Sequence, residues 1–428
     1  MYGIMFKIKI QFTFMLMAVL FAVPVEVAIS QGSTNSTGNP DITENNITFI
    51  DYPGFPEQHS TWNSIGYSPT HHKVFIGVSD HQKSNALYDY DVASRTMKKI
   101  GFIEDLANLR DHQWQGKVHS KFVEGPNGKV YFSMDGGVLR SVHLRDHPHG
   151  YRGGFFMKWD PATNKLTNLG MGLEYDTVKD MDVDPETGVM YGVSFPQVHF
   201  MVYDPSTNDF RDLGRLGGGH VPRVNFTDQW GNNYYVDWRQ RLVKYEKSLG
   251  ELVFAKESLP AFDDTPGTHI ITGITAYAKD RENGIIYLVT YGAKLLAFHP
   301  KETGIGEIID LGPVYELEEE LWRPYVPNLA FGQNGKLYYF IGGHGNFVKD
   351  DTTIFMEMDP ATGERNIIYE FHISDMVEAT GSDVQDHEGN LYFAGRKRAQ
   401  DAGDGTDVQT SESSAFMIKF NPEKEVQP

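Results

Sequence analysis

A tetrapeptide of the form Gly-Lys-Val-Tyr returns seven times along this chain of 428 residues. The matching segments end at Phe75 (HKVF), Tyr131 (GKVY), Tyr191 (GVMY), Tyr234 (GNNY), Tyr287 (GIIY), Tyr338 (GKLY) and Tyr392 (GNLY), spaced 43 to 60 residues apart. A fixed period of about fifty residues is the mark of a repeat architecture. One such unit cannot bury its apolar surface alone, so each must stack on its neighbours.

Every unit has the same internal order. A short strand comes first, as in HSKFVE, KDMDVD or PRVNFT. A tight turn follows, three times built on Asn-Gly (Asn127-Gly128, Asn283-Gly284, Asn334-Gly335), which suits a two-residue hairpin. The GKVY strand is next, then a loop of variable length. A third strand ends in an Asp-Pro turn, as in FMKWDPATN, FMVYDPSTN and FMEMDPATG, and a fourth strand closes the unit. Four antiparallel strands per unit, seven units and almost no helical periodicity predict an all-β fold, a seven-bladed β-propeller of four-stranded blades. The last unit runs out after its third strand. Residues 47–52, ITFIDY, are expected to supply the missing outer strand and close the ring, making residues 47–428 a single domain. The one helix expected is YELEEELW, residues 315–322.

The ends and the composition set the class. Lys7 and Lys9 precede an apolar run, and the small residues Ala28 and Ser30 lie where a signal peptidase would cut before Gln31. Residues 1–30 therefore read as a signal peptide and 31–46 as a polar, flexible linker. Pro24 and Glu26 interrupt the run, which disfavours a retained anchor, and no later apolar stretch is long enough to span a membrane. The expected destination is outside the cell or the periplasm. With no cysteine, disulfides, thiolate metal sites and a cysteine nucleophile are excluded. A formal charge of −19 argues against nucleic acid and anionic membranes as partners, but a local basic patch could still bind an anion.

Propeller topology puts the starts of the first strands, and the loops between second and third strands, at one end of the channel, where ligands gather in closed β architectures. Nine residues before the glycine position of the turn (His72 in unit one) stand Asn63, His119 and Lys179. In unit four Pro222 takes that place, flanked by His220 and Arg223, and Thr272, Asn328 and Asp383 lie near it in later units. The facing loops offer Asp80 and His81, then His143, His147, His149, Tyr151 and Arg152, then His344, and finally Arg396, Lys397 and Arg398. An acidic protein that gathers histidines and arginines at one end points to an anionic partner. An acidic polysaccharide or oligosaccharide fits an exported, monomeric protein. Uronate polymers are broken by β-elimination, which needs a cation against the carboxylate, a base for the neighbouring C–H and an acid for the leaving oxygen. His119, a loop histidine and Arg223 are suitable types.

The segments VHSKFVEGPNGKVYF, YRGGFFMKWDPATNKLTNLG and MYGVSFPQVHFMVYDPSTNDFRDLG, within residues 117–245, resemble the exported propeller proteins related to ulvan lyases. The resemblance implies a seven-bladed propeller that cleaves a sulfated, uronate-containing polysaccharide with histidines, a tyrosine and an arginine. By motif, His119 matches the first-strand histidine and Arg223 the arginine. Two departures stand out: Met134-Asp135 replaces a histidine just after the second strand of unit two, and Phe195 replaces a tyrosine. Candidate catalytic residues are thus His119, His143, His149, Tyr151 and Arg223, and candidate substrate-binding residues are Asn63, Lys179, His220, His344 and Arg396. The alternative is a non-catalytic propeller that binds glycan or protein through the same end.

No cofactor is required by the sequence, although a divalent metal such as Ca, Zn or Mn is conceivable at three places. DMDVDPETG (180–188) is like a calcium loop but its Asp residues alternate along a strand. DAGDGTD (401–407) is a better calcium candidate, and HPHGY (147–151) could hold zinc or manganese. Asn35, Asn46 and Asn225 carry Asn-x-Ser/Thr acceptor sequences. No nucleophile elbow or phosphate-binding glycine loop is present.

Overall fold

The computed structural model of the chain describes residues 46–56, 58–59, 61–80, 85–136, 150–217, 223–260, 273–291, 293–315, 325–342, 352–397 and 414–423. The expectations for the signal peptide, for the linker up to residue 45, for nearly all of the 315–322 helix and for the 401–407 loop lie outside these residues. The fold is all-β, with 56% strand and 4% helix. Among the described residues no helix is long and apolar enough to cross a membrane.

Each repeat unit forms antiparallel strands that pair in chain order. Unit one pairs Ile65–Ser68, Lys73–Ser79, Asn85–Asp91 and Thr96–Phe102. Unit two has an interrupted first strand, Lys117–Val118 and Val123–Glu124, both bonded to Val130–Asp135, followed by Phe155–Asp160 and Lys165–Met171. Units three, four and five begin with Thr177–Val183, Phe226–Thr227 and Ile274–Asp280, and each is a four-stranded sheet. Units six and seven, which begin with Asn328–Phe331 and Glu378–Ser382, share one eight-stranded sheet through a short parallel pairing, Asn328 opposite Gly381. The N-terminal strand Ile47–Asp51 pairs antiparallel with Ser414–Phe420, Ile47 opposite Phe420, so it is the fourth strand of unit seven.

Period-two alternation explains why both faces of the second strands are apolar. In Leu337–Ile341, the side chains of Leu337, Tyr339 and Ile341 pack into the cluster shared with unit five, while Tyr338 and Phe340 pack into the one shared with unit seven. The repeated aromatic always takes the second direction. Phe75, Tyr131, Tyr191, Tyr234, Tyr287 and Tyr338 each join the apolar cluster shared with the next unit, and Tyr392 joins the one shared by unit seven and unit one. Burying such a ring contributes roughly 1.5–3 kcal/mol. The repeat is therefore the packing contact between sheets, written once per unit.

Polar residues finish the turns. The Asp of the third-strand turn accepts a backbone N–H two residues on: Asp160 from Ala162 (3.1 Å), Asp204 from Ser206 (2.8 Å) and Asp359 from Ala361 (2.8 Å). The first turns differ from the two-residue hairpins expected. Asn127 and Gly128 are both left-handed (φ 59° and 67°), yet the loop spans Gly125–Lys129 between the paired Glu124 and Val130. At the other two Asn-Gly sites only Gly284 and Gly335 are left-handed, at 68° and 79°. Side-chain carboxylates and amides cap these longer turns, as where Asp280 accepts the N–H groups of Glu282 and Asn283. One helical turn, Ile103–Leu106, was not expected; its Ile103 plugs the cluster between units one and two.

Candidate functional site

In every unit the first strand starts, and the second strand ends, at the same end. The ladder shows it directly: Lys117 lies opposite Asp135, Thr177 opposite Phe195, Ile274 opposite Thr290 and Glu378 opposite Arg396. Residues just before a first strand, at its start, or just after a second strand are therefore brought to this end. Trp62, Asn63, Lys117, His119, Lys179, Arg223, Tyr325 and Glu378 come from the first group of positions. Asp135, Phe195, Tyr291 and Arg396 come from the second.

Unit two breaks its first strand to present His119. Between Val118 and Val123 the backbone leaves the ladder, and the Ser120 hydroxyl replaces it, accepting the Ser133 N–H at 2.7 Å. His119 is 2% exposed and its ring stacks on Trp62, with centroids 6.3 Å apart and planes 14° apart. Its Nδ1 has no hydrogen-bond partner among the described residues. Both polar atoms of the buried Asn63 side chain are also without a partner there. Orphaned buried polar atoms are rare in folded proteins, so a site holding several of them suits a polar ligand or water.

Cations surround this histidine. The Lys179 ammonium pairs with Asp135 at 2.8 Å and lies 5.6 Å from the Phe195 ring centre. The Lys117 ammonium and the Arg396 guanidinium lie 5.0 Å and 4.9 Å from the centre of Trp62. Arg396 also binds the Glu378 carboxylate. Arg223 donates its Nε–H to the Tyr291 hydroxyl at 2.7 Å and stands 5.7 Å from the Tyr325 ring centre. Tyr291 and Tyr325 are themselves 6.2 Å apart.

The electrostatics follow from burial among like charges. Burial first, then the charges of Lys179, Lys117 and Arg223, hold His119 well below the usual histidine value, so its imidazole is neutral at pH 7. Burial, with Lys179 beside it, lowers Lys117 from 10.5 to about 7, and Asp135 offsets only part of this. Burial would lower Arg223 as well, but Tyr291, Tyr325 and Glu378 outweigh it and the guanidinium stays charged. Burial raises Tyr291, although Arg223 pulls it down, and raises Tyr325 and Tyr151 strongly. The site thus holds the Arg223 guanidinium, a neutral imidazole, an amine that titrates at about 7 and protonated phenols together. That combination can seat a carboxylate and move protons around it.

The structure brings together five of the ten residues expected from sequence: His119, Asn63, Lys179, Arg223 and Arg396. Tyr151, the sixth that is described, is buried against Trp114, near Asp135 and Asp176, whose charges add to the rise caused by burial. Arg396 belongs to the strand Leu391–Lys397 rather than to the following loop. His143, His149, His220 and His344 lie outside the described residues, as do His81, His147, Thr272 and Arg398. Two other expected ring residues have structural roles. Asn328 replaces a ladder bond, accepting the Phe340 N–H at 2.7 Å and donating to Ala379 at 2.8 Å, and Asp383 pairs with Arg281 at 2.7 Å.

The sequence reading missed Lys117, Trp62, Tyr291, Tyr325 and Glu378. Lys117 was accessible by the period-two rule, being two residues before His119. Met134, where a histidine was sought, is buried in the core between units one and two. The calcium reading of 180–188 fails because the carboxylates are engaged. Asp180 pairs with Lys121 at 2.9 Å, Asp182 accepts the Thr227 N–H at 2.8 Å and Asp184 pairs with Lys247 at 2.7 Å. Among the described residues no group of three or more His, Asp or Glu side chains is placed to hold a metal ion. Asn225 is no glycan acceptor, since it is wholly buried with its amide donating to Tyr191 at 2.9 Å. Asn46 is buried too, bonded to the Asn421 carbonyl. In comparisons with known proteins, no family model and no curated protein matches the chain.

Proposed function

We propose that this protein is an exported, closed seven-bladed β-propeller that cleaves an anionic, uronate-containing glycan of the ulvan kind by β-elimination. The ring is supported by the seven apolar clusters, each shared by consecutive units and the last shared by units seven and one. Export is supported by the leader-like N-terminus.

The observation that carries the activity is the meeting of Arg223, Tyr291, Lys179 and His119 at one end of the first strands. Arg223 and Lys179 are the cations for the substrate carboxylate, whose charge grows when the α-proton leaves. The Tyr291 oxygen accepts from Arg223, and the Tyr291 hydroxyl proton is the one to pass to the departing glycosidic oxygen. A neutral nitrogen takes the α-proton, and His119 is the base to which the sequence points. The elimination breaks the C–H and C–O bonds and forms a C=C bond conjugated with the carboxylate.

One observation favours a binding-only protein instead: Asp135 stands where a histidine was expected and neutralises Lys179. Incubation with ulvan and other uronate polymers decides between them. Ultraviolet absorbance of the unsaturated uronate should rise with the wild type and fall by about 100-fold or more in rate with His119→Ala. Binding without any rise in absorbance would establish the binding-only reading.

A further inference from the structure

Lys117 has no place in the reading above, and its surroundings are unusual for a lysine. It begins the first strand of unit two, two residues before His119, and is 6% exposed. The groups facing it are cationic or apolar. Trp62 lies under its ammonium, and Lys179 and Arg223 add positive charge. Asp135, directly opposite on the neighbouring strand, is engaged with Lys179 at 2.8 Å. Among the described residues no carboxylate forms an ion pair with Lys117. A buried ammonium in this company is uncompensated, and the cheapest relief is to lose the proton.

We infer that Lys117 is the proton-accepting amine of this site, taking the proton α to the bound carboxylate, while His119 is a positioning residue stacked beside it on Trp62. The inference rests on the lyase reading. The two adjacent lysines differ in their partners: Lys179 has the Asp135 carboxylate at 2.8 Å, whereas Lys117 has the Trp62 ring and the neighbouring cations. An amine that titrates near neutrality also matches a working pH of 7 better than an imidazole that resists protonation. In the step, the Lys117 nitrogen lone pair takes the proton, the C–H pair becomes the new C=C bond, and the C–O pair leaves on the oxygen protonated by Tyr291. The lysine then gives its proton to water and Tyr291 takes one from water, which restores both groups.

The test uses the full chain labelled with ε-13C-lysine and followed by NMR from acid to alkaline pH. One lysine resonance should titrate near neutrality and be absent from Lys117→Met. If every lysine titrates at its ordinary alkaline value, the inference is overturned whatever the activity. On a uronate polymer that the wild type cleaves, Lys117→Arg should lower kcat about 100-fold or more, with KM within about threefold, and abolish the acidic limb of the pH profile. Cleavage by Lys117→Arg at the wild-type rate overturns the inference and leaves the lyase reading standing. Cleavage of no uronate polymer by the wild type overturns both.

Discussion

Replacing Lys117 by methionine should stabilise the protein in acid and do progressively less as the pH rises. In the unfolded chain the amine keeps its proton up to about 10.4; in the folded protein it gives it up at about 7. Between these values the unfolded state binds more protons, so stability rises with pH across this window. Below pH 7 the folded protein carries the full cost of a buried ammonium. Each pKa unit corresponds to roughly 1.4 kcal/mol, so moving from pH 7 to pH 9 should return about 2–3 kcal/mol to the wild type. Methionine fills a similar volume without a charge and forgoes only the contact with Trp62, worth about 1 kcal/mol at any of these pH values. The difference in stability between variant and wild type should therefore favour the variant by about 2–3 kcal/mol more at pH 6 than at pH 9. For a unit of this size about 1 kcal/mol corresponds to roughly 1 °C in Tm, so calorimetry should find a change of about 3 °C in the gap. A gap that does not change with pH, or one that grows toward alkali, would refute the assignment of a desolvated amine.

Two further substitutions probe buried charge elsewhere. Glu104 is pushed up from 4.5 to about 7 by burial, against the donated hydrogen bonds of Asn85. The folded state then binds the extra proton between pH 4.5 and 7, and stability falls as pH rises through that window. Glu104→Gln should be near neutral at pH 4.5 and gain about 1–3 kcal/mol at pH 8, measured by denaturant unfolding; equal effects at both would contradict this. Lys121→Met strands the Asp180 carboxylate in the core and should cost about 3–5 kcal/mol. Adding Asp180→Asn should recover part of that loss, and a double variant no more stable than Lys121→Met would show that the pair is not the cause.

What could be read from sequence depended on whether a residue kept a fixed offset from a repeated mark. The GKVY aromatic did, because every unit needs the same ring packed on the next, so the four-strand order and the late partner for Ile47–Asp51 were both legible. Asn63, His119 and Lys179 also keep an offset, counted back from the turn position held by His72, Gly128 and Gly188. Trp62, Arg223 and Tyr325 each stand three residues before a first strand, but the sequence carries no mark of where those strands begin, and Tyr291 follows a second strand, so the count from the turn finds none of them. The turns were misread for a related reason. Asn-Gly implies a two-residue hairpin in isolation, but Asp280 and residues like it offer side-chain caps that favour longer loops. Asn328 looked like a site residue because a polar side chain at a strand start has two uses, and here the backbone of Phe340 claims it.

The acidic net charge and the cationic site are consistent because a recurring set of carboxylates is tied up far from the site. Asp184, Asp228, Asp280 and Asp386 all lie in the turns joining first to second strands. Asp228 accepts the N–H groups of Trp230 and Asn232 and the Tyr234 hydroxyl, and Asp386 does the same for Glu388, Asn390 and Tyr392. These carboxylates are fixed by backbone needs and cannot drift toward the cations. At the other end Asp135 pairs with Lys179 and Glu378 with Arg396 inside the site, while Asp237 pairs with Arg241 and Asp310 with Lys294 at the starts of third strands. Since buried charges are screened little by salt or by distant surface charge, the local excess of cations decides what this end can hold, and the formal −19 does not. A count of charges over the chain therefore describes its solubility, whereas the position of each charge along its strand describes its chemistry.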